Sequence, residues 1–286
     1  MWLILACLSA VFAAVTSILA KIGIKNTSSN LTTALRTGVV LVFSWLMVLV
    51  TGEIGAVAEI TPKALLFLAL SGFATGFSWI CYFKALSLGE INRVVPIDKS
   101  STVISIILAF VILGESVSLP KGIGALVIFI GTLLMSITGK SEQGKSNRKY
   151  LPYACGSALF AALTSILAKI GIEDVPSNTA TAVRTIFVLI MAWFVVFKNN
   201  EQKELKAIDK KSLMFIVASG ITTGCSWLCY YGAVKMGEVS VVVPIDKLSI
   251  LLTVFFGRAV FKEHLTKKSA IGLALITLGT LLMLVK

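Results

Sequence analysis

The chain contains ten apolar segments, each close to the length that an α-helix needs to cross a lipid bilayer. They lie at about 2–21, 31–50, 63–84, 93–113, 121–138, 151–169, 179–197, 212–233, 241–261 and 269–285. The runs are continuous, and only helices or closed barrels satisfy backbone hydrogen bonds inside lipid, so helices are predicted over strands. With 57% hydrophobic and 14% charged residues, the sequence predicts an all-α integral membrane protein with ten transmembrane helices.

The second half of the chain repeats the first half at a constant offset of 148 residues. The segment TSILAKIGI occurs at 16–24 and again at 164–172, and no gap is needed anywhere in the repeat. Residues 1–138 and 151–286 therefore form two repeats of five spans each, joined by the polar linker 139–150. Because five is odd, the second repeat enters the membrane from the opposite side, and the two repeats are predicted to be inverted.

The basic residues near the loops predict an orientation. Seventeen lysine and arginine residues lie on the side that carries the linker, and five lie on the other side. The positive-inside rule then makes the linker cytoplasmic and places both termini outside the plasma (inner) membrane. The five cysteines lie in apolar segments without paired zinc or redox spacing, and we interpret them as packing residues.

Each repeat carries the sequence VVPIDK near the start of its fourth apolar segment, at 94–99 and 242–247. A charge inside hydrocarbon is costly unless it is paired or hydrated, so an ionisable residue at this depth indicates a functional site. Asp98, Lys99, Asp246 and Lys247 are therefore candidates for the solute or ion pathway.

The proline of each PIDK motif predicts a helix boundary. Pro96 and Pro244 lack a backbone N–H and disfavour helix at the preceding residue, so the helix either begins there or has a broken first turn. In both cases Asp98 and Asp246 fall in the first turn, where the positive end of the helix dipole favours a carboxylate. Desolvation acts in the opposite direction, and the sequence leaves the protonation of these aspartates open.

Arg36 and Arg184 occupy equivalent positions in the second span of each repeat. Arg36 lies about five residues into its span, and the PIDK charges of the first repeat lie equally deep, so a rise of about 1.5 Å per residue predicts one charged layer. Arg184 and the second PIDK motif form the corresponding layer near the opposite face. Two such layers suit alternating access, whereas the competing interpretation is that they pair only to fix helix packing.

The third spans carry an aromatic face. Trp79 and Tyr82 are three residues apart, as are Trp227 and Tyr230, so each pair shares one side of a helix. Such a face lines a cavity for an organic solute or holds a cation, and the competing interpretation is an interfacial aromatic belt.

Three further patterns bear on packing. GFATG at 72–76 and GITTG at 220–224 are small-xxx-small motifs that predict close helix neighbours. Glu115 and its counterpart Glu263 are interpreted as carboxylates that anchor loops. Lysines that close the first and third spans, Lys169 and Lys235 among them, are expected to extend towards the membrane interface.

The fourth and fifth spans of each repeat carry matching motifs: LGES at 113–116 with GTLLM at 131–135, and FKEH at 261–264 with GTLLM at 279–283. With these motifs, the whole chain resembles two EamA-like units of the EamA-domain exporters in the drug/metabolite transporter superfamily. The resemblance implies a secondary transporter that exports a small organic metabolite, coupled to protons that Asp98 and Asp246 would carry. Family members are often described with both termini in the cytoplasm, opposite to the charge count.

Two other functions stay open. An exchanger or facilitator of small organic anions is favoured by the surplus of arginine and lysine over deep aspartate. A non-transporting scaffold or sensor predicts that Asp98→Asn and Asp246→Asn leave every flux unchanged. The sequence shows no phosphate-binding loop, metal-ligand cluster or activated nucleophile, so no enzyme, metal, cofactor or nucleic-acid partner is predicted. The expected partners are a small-molecule solute, protons and the lipid bilayer, with a monomer or a homodimer as the assembly.

Overall fold

The computed structural model describes residues 1–23, 28–88, 94, 97–136, 148–261 and 267–285. This part of the chain contains eleven α-helices and no β-strand. They are α1 (Trp2–Gly23), α2 (Ser29–Val50), α3 (Pro62–Leu88), α4 (Ser101–Ile112), α5 (Leu119–Ser136), α6 (Leu151–Gly171), α7 (Ser177–Lys198), α8 (Lys210–Met236), α9 (Val239–Lys247), α10 (Ser249–Phe261) and α11 (Lys267–Leu282). Short 3₁₀ segments lie at Glu53–Val57, Arg148–Tyr150 and Glu201–Ala207.

Among the described residues, seven stretches are long and apolar enough to cross a membrane. They belong to α1, α2, α3, α6, α7, α8 and the combined α9 and α10, while α5 and α11 contain shorter apolar stretches. Large apolar side chains such as Val42, Leu126, Ile190 and Phe255 are exposed on these helices, as lipid contact requires. The all-α prediction is confirmed for the described residues, but the count of ten spanning helices is not.

The ninth predicted span, 241–261, is interrupted. Helix α9 continues through Pro244 and ends at Lys247, and α10 begins at Ser249. Between them the Leu248 N–H donates to the Ile245 carbonyl at 3.0 Å, a bond over three residues that tightens the last turn. The prediction that the helix begins or breaks at Pro244 is therefore wrong.

Because α9 ends at Lys247, Asp246 lies in the last turn of this helix and not in a first turn as predicted. The argument that the positive end of a helix dipole favours its carboxylate therefore does not apply. The first repeat has the same local geometry, because the Ser100 N–H donates to the Ile97 carbonyl at 3.1 Å just before α4 begins. Pro96 lies outside the described residues.

The chain forms two compact units that do not coincide with the two sequence repeats. Compact unit 1 consists of Met1–Gly76 and Leu167–Gly237, and compact unit 2 consists of Phe77–Ile166 and Glu238–Lys286. Helices α3 and α6 each contribute one part to each unit. Every unit is thus assembled from segments of both repeats.

The helices of compact unit 1 pair in antiparallel fashion. Near the start of α2 the Ser28 N–H donates to Glu204, which follows α7, at 2.7 Å. Near the other end the Asn178 side chain, in the first turn of α7, donates to Glu53, which follows α2, at 2.9 Å. Since α2 and α7 are equivalent helices of the two repeats, equivalent helices run in opposite directions here.

Two glycines of compact unit 1 permit close backbone approach. A Cβ atom at Gly72 would lie 2.9 Å from the Arg184 carbonyl oxygen on α7, and one at Gly220 would lie 3.1 Å from the Arg36 carbonyl oxygen on α2. These pairs are related by the repeat offset, so the same helix contact is made twice. The prediction that the small-xxx-small motifs seat a neighbouring helix is confirmed.

In compact unit 2 the equivalent helices α5 and α11 cross through glycines. A Cβ atom at Gly124 would lie 2.6 Å from the Gly279 carbonyl oxygen, and one at Gly279 would lie 2.7 Å from that of Gly124. About two helical turns further along α5, a Cβ atom at Gly131 would lie 2.7 Å from the Gly272 carbonyl oxygen. The residue numbers rise along one helix as they fall along the other, so this contact is antiparallel and reciprocal.

We expect Gly124→Ala to lower the free energy of unfolding by about 1–3 kcal/mol, because its methyl group would collide with the α11 backbone. Gly122→Ala is the matched control on the same helix, since a Cβ atom there meets nothing within 4 Å. Thermal unfolding of the purified protein in detergent measures both. Equal stability of the two variants would contradict the crossing.

Candidate functional site

The two PIDK motifs approach each other in compact unit 2. Helix α9 packs against α4, and the Lys99 ammonium group lies within electrostatic range of the Lys247 ammonium group and the Asp98 carboxylate. The Asp246 carboxylate lies 3.7 Å from the Lys247 Nζ atom. Both lysines are exposed. Two accessible ammonium groups close together attract an anion, and each one has an aspartate beside it in the chain.

A hydroxyl group holds Asp98. Its Oδ1 atom accepts a hydrogen bond of 2.6 Å from the Ser157 hydroxyl on α6. The Ser78 hydroxyl on α3 in turn donates to the Ser157 carbonyl at 3.1 Å. Tyr82 lies near enough to interact electrostatically with the Asp98 carboxylate and packs against the apolar cluster of Ala85, Val94 and Ala154. Asp98 is therefore positioned by α6, a helix of the second repeat.

Glu115 fixes the start of α9. Its two carboxylate oxygens accept hydrogen bonds from the backbone N–H groups of Val239 at 2.6 Å and Ser240 at 2.9 Å. A carboxylate at a helix N-terminus satisfies free N–H groups and suits the helix dipole. The loop-anchoring interpretation is confirmed for Glu115, and its counterpart Glu263 lies outside the described residues. This anchor explains why α9 begins well before Pro244.

A buried lysine strengthens the same junction. The Lys121 Nζ atom forms an ion pair of 2.6 Å with Glu238 and donates to the Ser116 carbonyl at 2.8 Å. Sequence reasoning missed this pair, because the partners are separated by more than a hundred residues and the second repeat has Ser269 where the first has Lys121. Together the carboxylates of Glu115 and Glu238 attach the start of α9, which carries the second PIDK motif, to α5 and to the loop before α5.

Lys169 and Lys235 both donate to backbone carbonyl oxygens in compact unit 1. The Lys169 Nζ atom donates to the carbonyl oxygens of Val234 at 2.6 Å and Gly237 at 2.9 Å, and also to that of Lys235. The Lys235 Nζ atom donates to the Val175 carbonyl oxygen at 2.5 Å. The last carbonyls of a helix lack partners within the helix, and a cation there satisfies them. Both lysines lie near the ends of their helices, and their expected position at the membrane interface stays a prediction.

Arg184 is the most deeply buried cation described in compact unit 1, with 2% of its surface exposed. Its Nε atom donates to the Ser71 hydroxyl at 2.8 Å, and its Nη2 atom donates to the Thr75 hydroxyl at 2.5 Å. The centre of the guanidinium group lies 5.3 Å from the Trp227 ring and 4.8 Å from the Tyr231 ring. A guanidinium group over aromatic faces is stabilised by their π-electrons.

The aromatic face of the second repeat thus holds a cation of the protein itself. Of the predicted site residues, Arg184 and Trp227 come together, and Tyr230 is buried with its ring 5.0 Å from that of Tyr231. Sequence reasoning missed Ser71 and Thr75. Their spacing of four residues on one face of α3 was the available signal, but serine and threonine are frequent in membrane helices for many reasons.

Arg36 and Trp79 are two further predicted site residues. Arg36 belongs to compact unit 1 and is half-buried, with no side-chain hydrogen bond to another described residue. Trp79 belongs to compact unit 2 and is half-buried. The two predicted charge layers combine residues of both compact units, so they stay predictions.

These features define a multi-pass helical membrane protein built from two repeats whose equivalent helices pack antiparallel. The chain belongs to the EamA-like transporter family, whose sequence model matches residues 1–137 and 148–285. The resemblance drawn from the motifs is confirmed, and each match corresponds to one repeat.

Two of three curated relatives are named as transporters. A protein of Sinorhizobium named "Uncharacterized transporter in cobO 3'region" is 43% identical over 136 residues, which are 48% of this chain and 96% of the relative. An "Uncharacterized transporter" of Archaeoglobus fulgidus is 24% identical over 205 residues, 72% of this chain and 70% of its own length. A protein of Methanocaldococcus jannaschii is 28% identical over 126 residues, 44% of this chain and 89% of its own.

A solved structure supports the fold alone. It superposes with a TM-score of 0.78 at 18% sequence identity and covers 98% of this chain and 95% of its own. The same overall arrangement of helices therefore tolerates extensive sequence change.

We expect Glu115→Ala to lower the free energy of unfolding by about 1.5–3 kcal/mol, because two backbone N–H groups of α9 lose a charged acceptor. Glu59→Ala is the control, since Glu59 is an exposed carboxylate in the loop after α2. Thermal unfolding in detergent compares the two variants. A Glu115→Ala protein as stable as the control would contradict the capping role.

Proposed function

We propose that the protein is a secondary transporter that moves a small organic metabolite across the membrane by alternating access between two inverted repeats. The reciprocal antiparallel packing of equivalent helices carries this proposal. Gly124 and Gly131 on α5 meet Gly279 and Gly272 on α11 in the same way from both sides. Inverted repeats supply two related arrangements of one fold, which open the solute site to one side and then to the other.

The lengths of the relatives support inversion. The Sinorhizobium and Methanocaldococcus proteins match nearly end to end, yet they cover only about half of this chain. A relative of this length corresponds to one five-span repeat. Alone, it would expose the helix faces that the second repeat covers in this chain. Such a protein would need a second, inverted copy to bury the same faces, and this chain carries both copies in one polypeptide.

The proposal includes the coupling of transport to protons and the export of the solute from the cell. Asp98 and Asp246 remain the candidate proton carriers, since each lies beside a lysine of a PIDK motif in apolar surroundings. The hydrogen bond from the Ser157 hydroxyl holds the Asp98 carboxyl group in place. The direction of export is proposed on the family resemblance.

The exchange or facilitated movement of small organic anions is the second candidate. The proximity of the Lys99 and Lys247 ammonium groups in compact unit 2 favours it, because like charges that lie close together are stabilised by a bound anion. Arg184 adds a buried cation in compact unit 1.

We also propose the orientation with a cytoplasmic linker and external termini in the plasma (inner) membrane. The count of basic residues supports this orientation, because seventeen lie on the linker side and five on the other, and the positive-inside rule places the richer side in the cytoplasm.

The coupling proposal predicts that Asp246→Asn reduces solute accumulation driven by a pH gradient at least tenfold, because the amide takes up no proton. A solute found by thermal stabilisation of the purified protein would be followed into proteoliposomes with and without the gradient. Exchange of labelled for unlabelled solute should persist in this variant. Glu59→Gln, an exposed loop carboxylate, is the control. Gradient-driven accumulation that survives both Asp98→Asn and Asp246→Asn would overturn proton coupling through these residues.

The proposed orientation predicts which single cysteines a membrane-impermeant maleimide labels in intact cells. In a cysteine-free background, a cysteine in the linker should be protected until the cells are permeabilised. A cysteine added after Lys286 should be labelled from outside. The reverse pattern would establish the opposite orientation and leave the transport proposal unchanged.

A further inference from the structure

The α-helices of compact unit 1 contain no acidic residue. Its seven carboxylates all lie in the segments between α-helices: Glu53, Glu59, Glu173, Asp174, Glu201, Glu204 and Asp209. The same helices carry Arg36 and Arg184 within their apolar length. The unit therefore places two permanent positive charges at membrane depth without a carboxylate on any of its own α-helices.

The carboxylates of this unit are also engaged or exposed. Glu53 accepts hydrogen bonds from Asn178 and Thr179, and Glu201 and Glu204 accept them near the start of α2. Asp209 caps α8 by accepting from Ser212, and these hydrogen bonds lower the pKa of its carboxyl group. Glu59, Glu173 and Asp174 are exposed in loops. None of the seven is placed to neutralise Arg184.

The contacts of Arg184 leave part of its guanidinium group unsatisfied. A guanidinium group offers five N–H donors. Ser71 and Thr75 accept from Nε and Nη2, but the buried Nη1 atom has no hydrogen-bond acceptor among the described residues. Buried polar groups are nearly always paired, and a buried charge without a counter-charge is costly. A carboxylate at Nη1 would supply both a hydrogen-bond acceptor and a counter-charge.

We propose that Arg184 binds the carboxylate of the transported solute through Nη1, which makes that solute an organic monocarboxylate. This inference rests on the proposed transport function and names its substrate class. One guanidinium group balances one negative charge, and its fork of donors fits a carboxylate. Trp227 and Tyr231 supply the neighbouring apolar surface for the body of the solute. Because only 2% of Arg184 is exposed, the solute reaches it when the surrounding helices separate.

The equivalent arginine lacks this environment. Arg184 donates to two hydroxyl groups, whereas the Arg36 side chain donates to none of the described residues. The sequence also has Phe83 where the other repeat has Tyr231. Arg36 is therefore a matched control, with the same residue type and repeat position but without the same hydroxyl and phenol partners.

The test measures binding by thermal stabilisation of the full-length protein in detergent. The probes are acetate, benzoate and indole-3-acetate, each compared with its primary carboxamide, and benzylamine serves as the cationic control. Ligands that bind the folded state raise its unfolding temperature by mass action. We expect at least one carboxylate to bind at least tenfold more tightly than its amide. Arg184→Gln should abolish that preference, and Arg36→Gln should retain it.

Other outcomes overturn the assignment. A wild-type protein without a preference for carboxylate over amide, or one that prefers benzylamine, contradicts an anion site at Arg184. A preference lost in Arg36→Gln but kept in Arg184→Gln moves the site to the other repeat and overturns the assignment equally. If Arg184→Gln does not fold, Arg184→Lys replaces it, and an undiminished carboxylate preference in that variant counts against the guanidinium fork. Exchange of any bound solute in proteoliposomes tests transport separately, so the substrate class can fail while transport stands.

Discussion

Close antiparallel contact between equivalent helices is the constraint on which the remaining structure depends. In lipid the hydrophobic effect does not drive helices together, so association relies on van der Waals packing and interhelical hydrogen bonds. The α5 and α11 backbones approach at Gly124 and Gly279 more closely than any Cβ atom would permit. The same pair of contacts is made from each side, so a change at one glycine disturbs an interface built from both repeats.

Hydrogen bonds from serine hydroxyl groups to backbone carbonyls also join helices of the two repeats. The Ser226 hydroxyl donates to the Ser9 carbonyl in compact unit 1, and the Ser78 hydroxyl donates to the Ser157 carbonyl in compact unit 2, both at 3.1 Å. These two contacts are related by the repeat offset. Ser157 also donates to Asp98, so a residue used for packing becomes a positioning residue for a candidate proton carrier.

Charged residues at helix ends perform a different task from those within the helices. Glu115 satisfies the first N–H groups of α9, and Lys169 satisfies the last carbonyls of α8. Both act on the short connection around Gly237 and Glu238, where the chain passes from one compact unit to the other. Arg184 and the PIDK residues lie within apolar lengths of the chain, where a charge is costly, and this is why they are the candidates for the proposed solute and ion pathway.

The sequence by itself determined the helical class, the two repeats and the family. Apolar length, a constant offset and local motifs can all be recognised from the order of residues along the chain, without knowing which residues are in contact. It also identified Asp98, Asp246, Arg184 and Trp227 as candidates, since charge and aromatic rings are unusual within apolar spans. Only the tertiary structure decided that α9 runs through Pro244, because the cap that starts it comes from Glu115, distant in sequence. It alone separated Arg184 from Arg36, which the repeat makes equivalent, because burial and hydroxyl partners arise from helices folded together from both halves of the chain.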